Sequence, residues 1–136
     1  MDLTEIRTAL KTTINGIRGL EVTDLCDSPN VPCAIVYPEA PYTFDPTFEA
    51  DAQFPRFVIL VLVSYSDTAD AQTRMDEYIG TEGEKSIVAA ITEDPTLGDV
   101  VNSATVVELK SYGVLELHDG GTRYLSAELA VEIFSS

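Results

Sequence analysis

The sequence is short of positive charge. Eight Lys and Arg stand against 23 Asp and Glu, a net charge of −15. Such a surface repels phosphates, so the electrostatic contribution that dominates nucleic-acid affinity has the wrong sign. An anionic bilayer surface is disfavoured for the same reason. There is one histidine, His118. It sits beside Asp119, Gly120 and Gly121, a setting that predicts a solvated turn rather than the base of a nucleophilic pair. No Gly-x-Ser-x-Gly elbow occurs. The two cysteines, Cys26 and Cys33, are too few for a disulfide framework and fit no zinc spacing. Two reduced, partly buried thiols are expected, with a bridge between neighbouring strands as the alternative. The longest apolar run, Phe57–Val63, is far below the roughly 20 residues a membrane helix needs. Met1-Asp2-Leu3-Thr4-Glu5 lacks the basic and apolar regions of a signal peptide. A soluble protein made in a cytosol is expected.

What is present is an ordinary core-forming chain. It has 136 residues, 45% of them hydrophobic, which suits one domain spanning 1–136 with one core. Net charge speaks to solubility and association; a surface that DNA can pass without sticking is the sharper reading.

Hydrophobic spacing predicts the order of elements. Asp2 and Glu5 have capping-box spacing, and Leu3, Ile6, Leu10, Ile14 and Ile17 recur at helical intervals until Gly16 and Gly19. Leu20–Leu25 and Cys33–Tyr37 read as strands, the second ended by Pro38. Arg56–Ser66 is the strongest strand. Its centre is apolar without alternation, which predicts burial on both faces. Helices can cover one face; the other needs a second layer or another chain. Thr68 can cap a helix running to about Ile79, with Ala71, Met75, Tyr78 and Ile79 inward. A second helix is expected from about Glu84 to Thr92. Ala104–Leu117 alternates in part. Thr122–Phe134 alternates cleanly, with Leu125, Ala127, Leu129, Val131 and Ile133 on one face, as in a half-buried strand. His118–Gly121 supplies a hairpin turn. The fold class is α+β: a mainly antiparallel sheet of four to six strands against an N-terminal helix and two central helices, closed by a C-terminal β-hairpin.

Between the second and third strands lies Pro38–Pro55, with Pro41, Pro46, Tyr42, Phe44, Phe48 and Phe54. A loop this long in a small domain is usually functional or disordered. Its aromatics favour an ordered excursion, either folded over its own core or docked on a neighbour. Candidate interface residues are therefore Tyr42, Phe44, Phe48, Phe54, Tyr112 and Tyr124.

Catalytic patterns are thin. Gly80–Ser86 has Gly, Lys and Ser before a helix but lacks phosphate-loop spacing, and reads as an interhelix loop. Asp94 or Asp99, then Glu108-Leu109-Lys110 on a strand, is half of a metal-dependent nuclease constellation. There two carboxylates would hold Mg²⁺ and the lysine would steer water. Glu-x-Lys also arises by chance on exposed strands, and the charge of the chain opposes DNA. Asp67 with Asp70, or Asp24 with Asp27, could hold Mg²⁺ or Ca²⁺ at a subunit contact, but neither pair matches an EF-hand loop, and a solvated charged face is the favoured explanation. No catalytic, cofactor or metal residue is expected.

Several stretches carry a family resemblance. Leu3-Thr4-Glu5-Ile6-Arg7-Thr8-Ala9-Leu10 with Ile17-Arg18-Gly19-Leu20-Glu21-Val22 resembles the first helix and strand of the tail terminators, or tail completion proteins, of long-tailed bacteriophages. Ile87–Ile91 with Asp94-Pro95-Thr96-Leu97-Gly98 is similar to that family's helix and turn. Tyr112-Gly113-Val114 and Tyr124–Ile133 resemble its last hairpin. The likeness spans nearly the whole chain and is nearest to versions from phages of actinobacteria. It implies a non-enzymatic virion protein, assembled in the host cytoplasm and placed at the head–tail junction. It implies a homo-oligomeric ring, usually a hexamer, on the head-proximal end of the tail tube. Such a ring stops tube polymerisation and docks the head connector, while DNA only transits its lumen. A head–tail connector (neck) protein is the alternative within phage assembly.

Overall fold

A computed structural model of the chain describes residues 3–17, 20–23, 32–38, 56–65, 68–116 and 123–134. The fold is α+β. Three helices, α1 (Leu3–Ile14), α2 (Thr68–Ile79) and α3 (Ile87–Glu93), accompany five strands. The strands are β1 (Glu21–Thr23), β2 (Cys33–Pro38), β3 (Arg56–Ser64), β4 (Ser103–Glu116) and β5 (Arg123–Phe134). They form one sheet in the order β1-β2-β3-β5-β4. The β1–β2 pair is parallel; β2–β3, β3–β5 and β5–β4 are antiparallel.

The helices follow from their apolar spacing. Ile6, Leu10 and Ile14 of α1 are buried, one turn apart. Glu5 in its first turn and Lys11 in its last complement the helix dipole. The helix closes with Ile17 N–H donating to the Ile14 carbonyl at 2.9 Å. This leaves Ile17 buried but outside the helix. In α2, Ala71, Met75 and Tyr78 face inward and Ile79 packs at the margin.

Two boundaries differ from the sequence expectation. Thr68 is the first residue of α2 rather than its cap. The second central helix begins at Ile87, not near Glu84. Ser86 adopts an extended backbone and its hydroxyl accepts from Ala89 N–H at 3.0 Å, so the helix starts there. The predicted capping box and hairpin turn, at Asp2 and at His118–Gly121, lie outside the described residues.

One apolar cluster joins the inward residues of all three helices to one face of the sheet. That face presents Ala34 and Val36 of β2, alternate residues of β3 from Phe57 to Val63, and Leu125, Ala127, Leu129, Val131 and Ile133 of β5. Each large side chain withdrawn from water there contributes about 1.5–3 kcal/mol before chain entropy is subtracted. A second cluster, Cys33, Ile35, Leu62 and Tyr124, lies on the opposite face and contains no helical residue.

Burial of β3 on both faces agrees with its unbroken apolar centre. The half-buried expectation for β5 does not hold. Tyr124, Ser126 and Ala130 on its second face are buried too. The reason is position: β5 lies inside the sheet, between β3 and β4. Its clean alternation separates an all-aliphatic face from a mixed one, not core from solvent. Cys33 is a fully buried thiol; Cys26 lies outside the described residues.

Candidate subunit-contact surface

Among the described residues, β4 carries four of the five exposed large apolar side chains; the fifth, Val100, precedes it. Val107, Leu109, Tyr112 and Val114 are 44%, 48%, 38% and 51% exposed. Among the described residues β4 is an edge strand, pairing only with β5. Its partial alternation has a structural cause. Two register shifts, between Val106 and Glu108 and between Leu109 and Ser111, each insert one extra residue. Val106, Leu109, Tyr112 and Val114 therefore stand opposite Val131, Leu129, Ala127 and Leu125. All four partners belong to the helix-side face. Without the bulges, odd spacings of three would throw Leu109 to the other face.

Cover on this stripe is uneven. Ala104 and Val106 join the main core, at the end of β4 near α3. Further along, Tyr112 lies beside Gln72 and Asp76 of α2. Its phenol is pushed above the ordinary value by partial burial and by the nearby Asp76 carboxylate; the Gln72 side chain acts the other way. Leu109 and Val114 stay open.

A concave surface lies elsewhere on the subunit. A groove of about 510 Å³ runs between α1 and the turn after α3. Thr8, Ala9, Thr12, Leu97 and Val100 line it, with the carboxylates of Glu5 and Asp94. That turn is held in an uncommon shape. Leu97, Gly98 and Asp99 all have positive φ, at 52°, 70° and 67°. Asp94 holds the first part: its carbonyl accepts from Leu97 N–H at 3.0 Å and its Oδ1 from Gly98 N–H at 3.3 Å. Thr96 holds the rest, its Oγ1 accepting from Asp99 N–H at 3.3 Å and its carbonyl from Val100 and Val101. Leu97 is buried as a result, and Val100 points outward.

The other face of the sheet carries a polar network. Glu128 Oε2 accepts from the Tyr37 hydroxyl and Oε1 from the Ser111 hydroxyl, both at 2.9 Å. Arg56 donates to Glu108 at 2.6 Å, and the buried Ser126 hydroxyl donates to the Gly113 carbonyl at 3.0 Å.

The residues singled out from sequence fall into distinct places. Tyr112 lies on the exposed stripe. Tyr124 is 6% exposed in the second cluster, out of a neighbour's reach, because the register turns it to the face shared with Leu62 and Cys33. Tyr42, Phe44, Phe48 and Phe54 lie outside the described residues, as do Asp24, Asp27, Asp67 and His118. The carboxylates of the nuclease-like pattern are dispersed: Asp94 and Asp99 shape the turn before β4, whereas Glu108 pairs with Arg56. Asp70 pairs with Arg74 one helical turn away at 3.1 Å. Among the described residues no three His, Cys, Asp or Glu side chains are grouped to hold a metal ion. Nor, among them, is any helix long and apolar enough to cross a membrane. The interhelix reading of Gly80–Ser86 holds, with Lys85 paired to Glu77 at 3.4 Å. The open residues Leu109 and Val114 were missed; odd apolar spacing on a single strand was the available signal.

No protein-family model matches the chain, and no curated protein matches it in sequence.

Proposed function

We propose that the chain is the subunit of a homo-oligomeric ring that caps the head-proximal end of a phage tail tube. The ring stops tube growth and offers the head connector a docking surface. The observation that carries the reading is the apolar stripe on β4, left exposed where β2, β3 and β5 of the same sheet are largely buried. A contiguous exposed apolar patch marks a contact surface. The tube as partner comes from the sequence resemblance, which the α+β element order accommodates: a helix, strands, two helices and a final strand pair. The net charge of −15 suits a lumen that DNA crosses without adhering. The role is structural, and no residue is assigned to catalysis.

The test is native mass by light scattering over a concentration range, with and without Mg²⁺, followed by binding to purified tail tubes. A ring in solution, or one that forms on tube ends, supports the proposal. A strict monomer that ignores tubes sinks it. A chain that binds the head connector but not tubes is a neck protein instead.

A further inference from the structure

The geometry points to a trough along α1 and α3 that accepts a cationic amphipathic helix from a different protein. Neither the ring reading nor the β4 stripe is needed for it.

The groove between α1 and the turn after α3 is half of a longer feature. A second hollow, of about 590 Å³, lies between the C-terminal part of α1 and α3. Thr13 and Asp94 line both, so the two are continuous along the seam where α1 packs on α3. Small residues keep the seam hollow: Ala9, Thr13 and Gly16 on the α1 side, Ala89 and Ala90 on the α3 side. Its floor is apolar, with Ala9, Ile17 and Leu97 buried.

Charge states what covers it. Glu5, Glu84, Glu93 and Asp94 line the trough, and among the described residues no Lys or Arg does. Glu5 and Asp94 are already engaged within the subunit and add only to the field. Pairing falls to Glu84 and Glu93, which are exposed near opposite ends of α3. Lys85, next to Glu84 in sequence, pairs with Glu77 of α2 instead. Carboxylates beside an apolar floor complement bases beside an apolar stripe, as on a helix laid in a groove. Bases about two helical turns apart match the length of α3.

A second copy is a poor occupant. The chain has eight Lys and Arg. Arg56, Arg74 and Lys85 form ion pairs within the subunit. Lys11, Lys110 and Arg123 also have partners there. A copy would have to give up such contacts while two −15 chains repel. Nucleic acid carries the wrong sign.

The experiment mixes the full chain with an acetylated helical peptide of Leu, Ala and Lys, about 14 residues long. Its Lys residues flank a Leu stripe that carries one photoreactive benzoylphenylalanine. After irradiation, adducts are expected within residues 4–17 or 83–100, whatever the oligomeric state. A peptide of the same composition in scrambled order should label those residues weakly. Glu84→Lys with Glu93→Lys should weaken binding about tenfold, whereas Glu21→Lys with Asp76→Lys, the same charge change at exposed sites elsewhere, should weaken it about twofold or less. Thr12→Trp fills the trough without changing charge and should weaken binding as strongly as the first pair. Adducts on other surfaces, equal losses from the two charge pairs, or unchanged binding by folded Thr12→Trp overturn the inference. So does no binding at millimolar peptide. If Thr12→Trp instead abolishes self-association, the trough is a contact between copies, and the inference falls while the ring reading stands.

Discussion

The hydroxyl of Tyr37 on β2 donates to Glu128 on β5 across the width of β3, which lies between those strands. The same carboxylate accepts from Ser111 on β4. One side chain thus ties β2, β5 and β4, spanning β3, on the face that carries no helix. Glu128 is half-buried, so its hydrogen bonds are worth more than those of a solvated ion pair. Glu128→Ala should cost about 2 kcal/mol, and Tyr37→Phe about 1 kcal/mol. Arg56→Ala, breaking the more exposed pair with Glu108, should cost under about 1 kcal/mol. Urea denaturation of the three variants checks the ranking.

Ser86 makes two bonds with one hydroxyl. It accepts from Ala89 N–H, capping α3, and donates to the Gly80 carbonyl at the end of α2. It is buried, so solvent cannot replace either bond. Ser86→Ala should destabilise by about 1–2 kcal/mol. Ser86→Thr keeps the hydroxyl, and should recover part of this loss in the same denaturation assay.

At Gly98, φ is +70° and no atom lies within 4 Å of an added Cβ. Backbone strain is therefore the whole penalty of a substitution. Gly98→Ala should cost about 1 kcal/mol. At Asp99, with φ at +67°, replacement by Asn should be nearly neutral, since Asn tolerates that region. Thermal unfolding of the two variants measures the contrast.

Tyr78 gives a pH dependence with a fixed sign. Burial raises its phenol above the usual 10.0, and Glu77 pushes the same way against Lys85 and Arg74. The unfolded chain then loses the proton first as alkalinity rises. Stability supplied by the neutral phenol is fully present below pH 10.0 and is lost as pH climbs through the folded value. Urea midpoints should fall above pH 10, and Tyr78→Phe should shallow that fall.

Much of the fold was legible because periodicity reports burial. The unbroken apolar centre of β3 announced two covered faces, and Ala71, Met75 and Tyr78 announced one helix stripe. Boundaries were less legible where a single hydroxyl decides them, as at Ser86. Strand order was hidden as well. Alternation in β5 was indistinguishable from that of a half-exposed strand, because Ala130 and Ser126 are buried by neighbours distant in sequence. The exposed apolar stripe was legible only in part. Tyr112 was visible as an aromatic on a strand, but Leu109 and Val114 join it only through bulges whose positions depend on pairing with β5. Tyr124 shows the converse: an aromatic beside a polar position looked available until register turned it inward.

The place of β5 in the sheet has a consequence for biosynthesis. The sheet is completed by its most C-terminal strand, which enters the middle rather than an edge. Until the ribosome has released residue 134, β3 has a bare, strongly apolar side that waits for residues about 70 positions downstream. Partial chains are therefore sticky, and folding is a late, all-at-once event gated by long-range pairing. Premature termination anywhere before β5 should yield material for aggregation or proteolysis rather than a shortened folded chain.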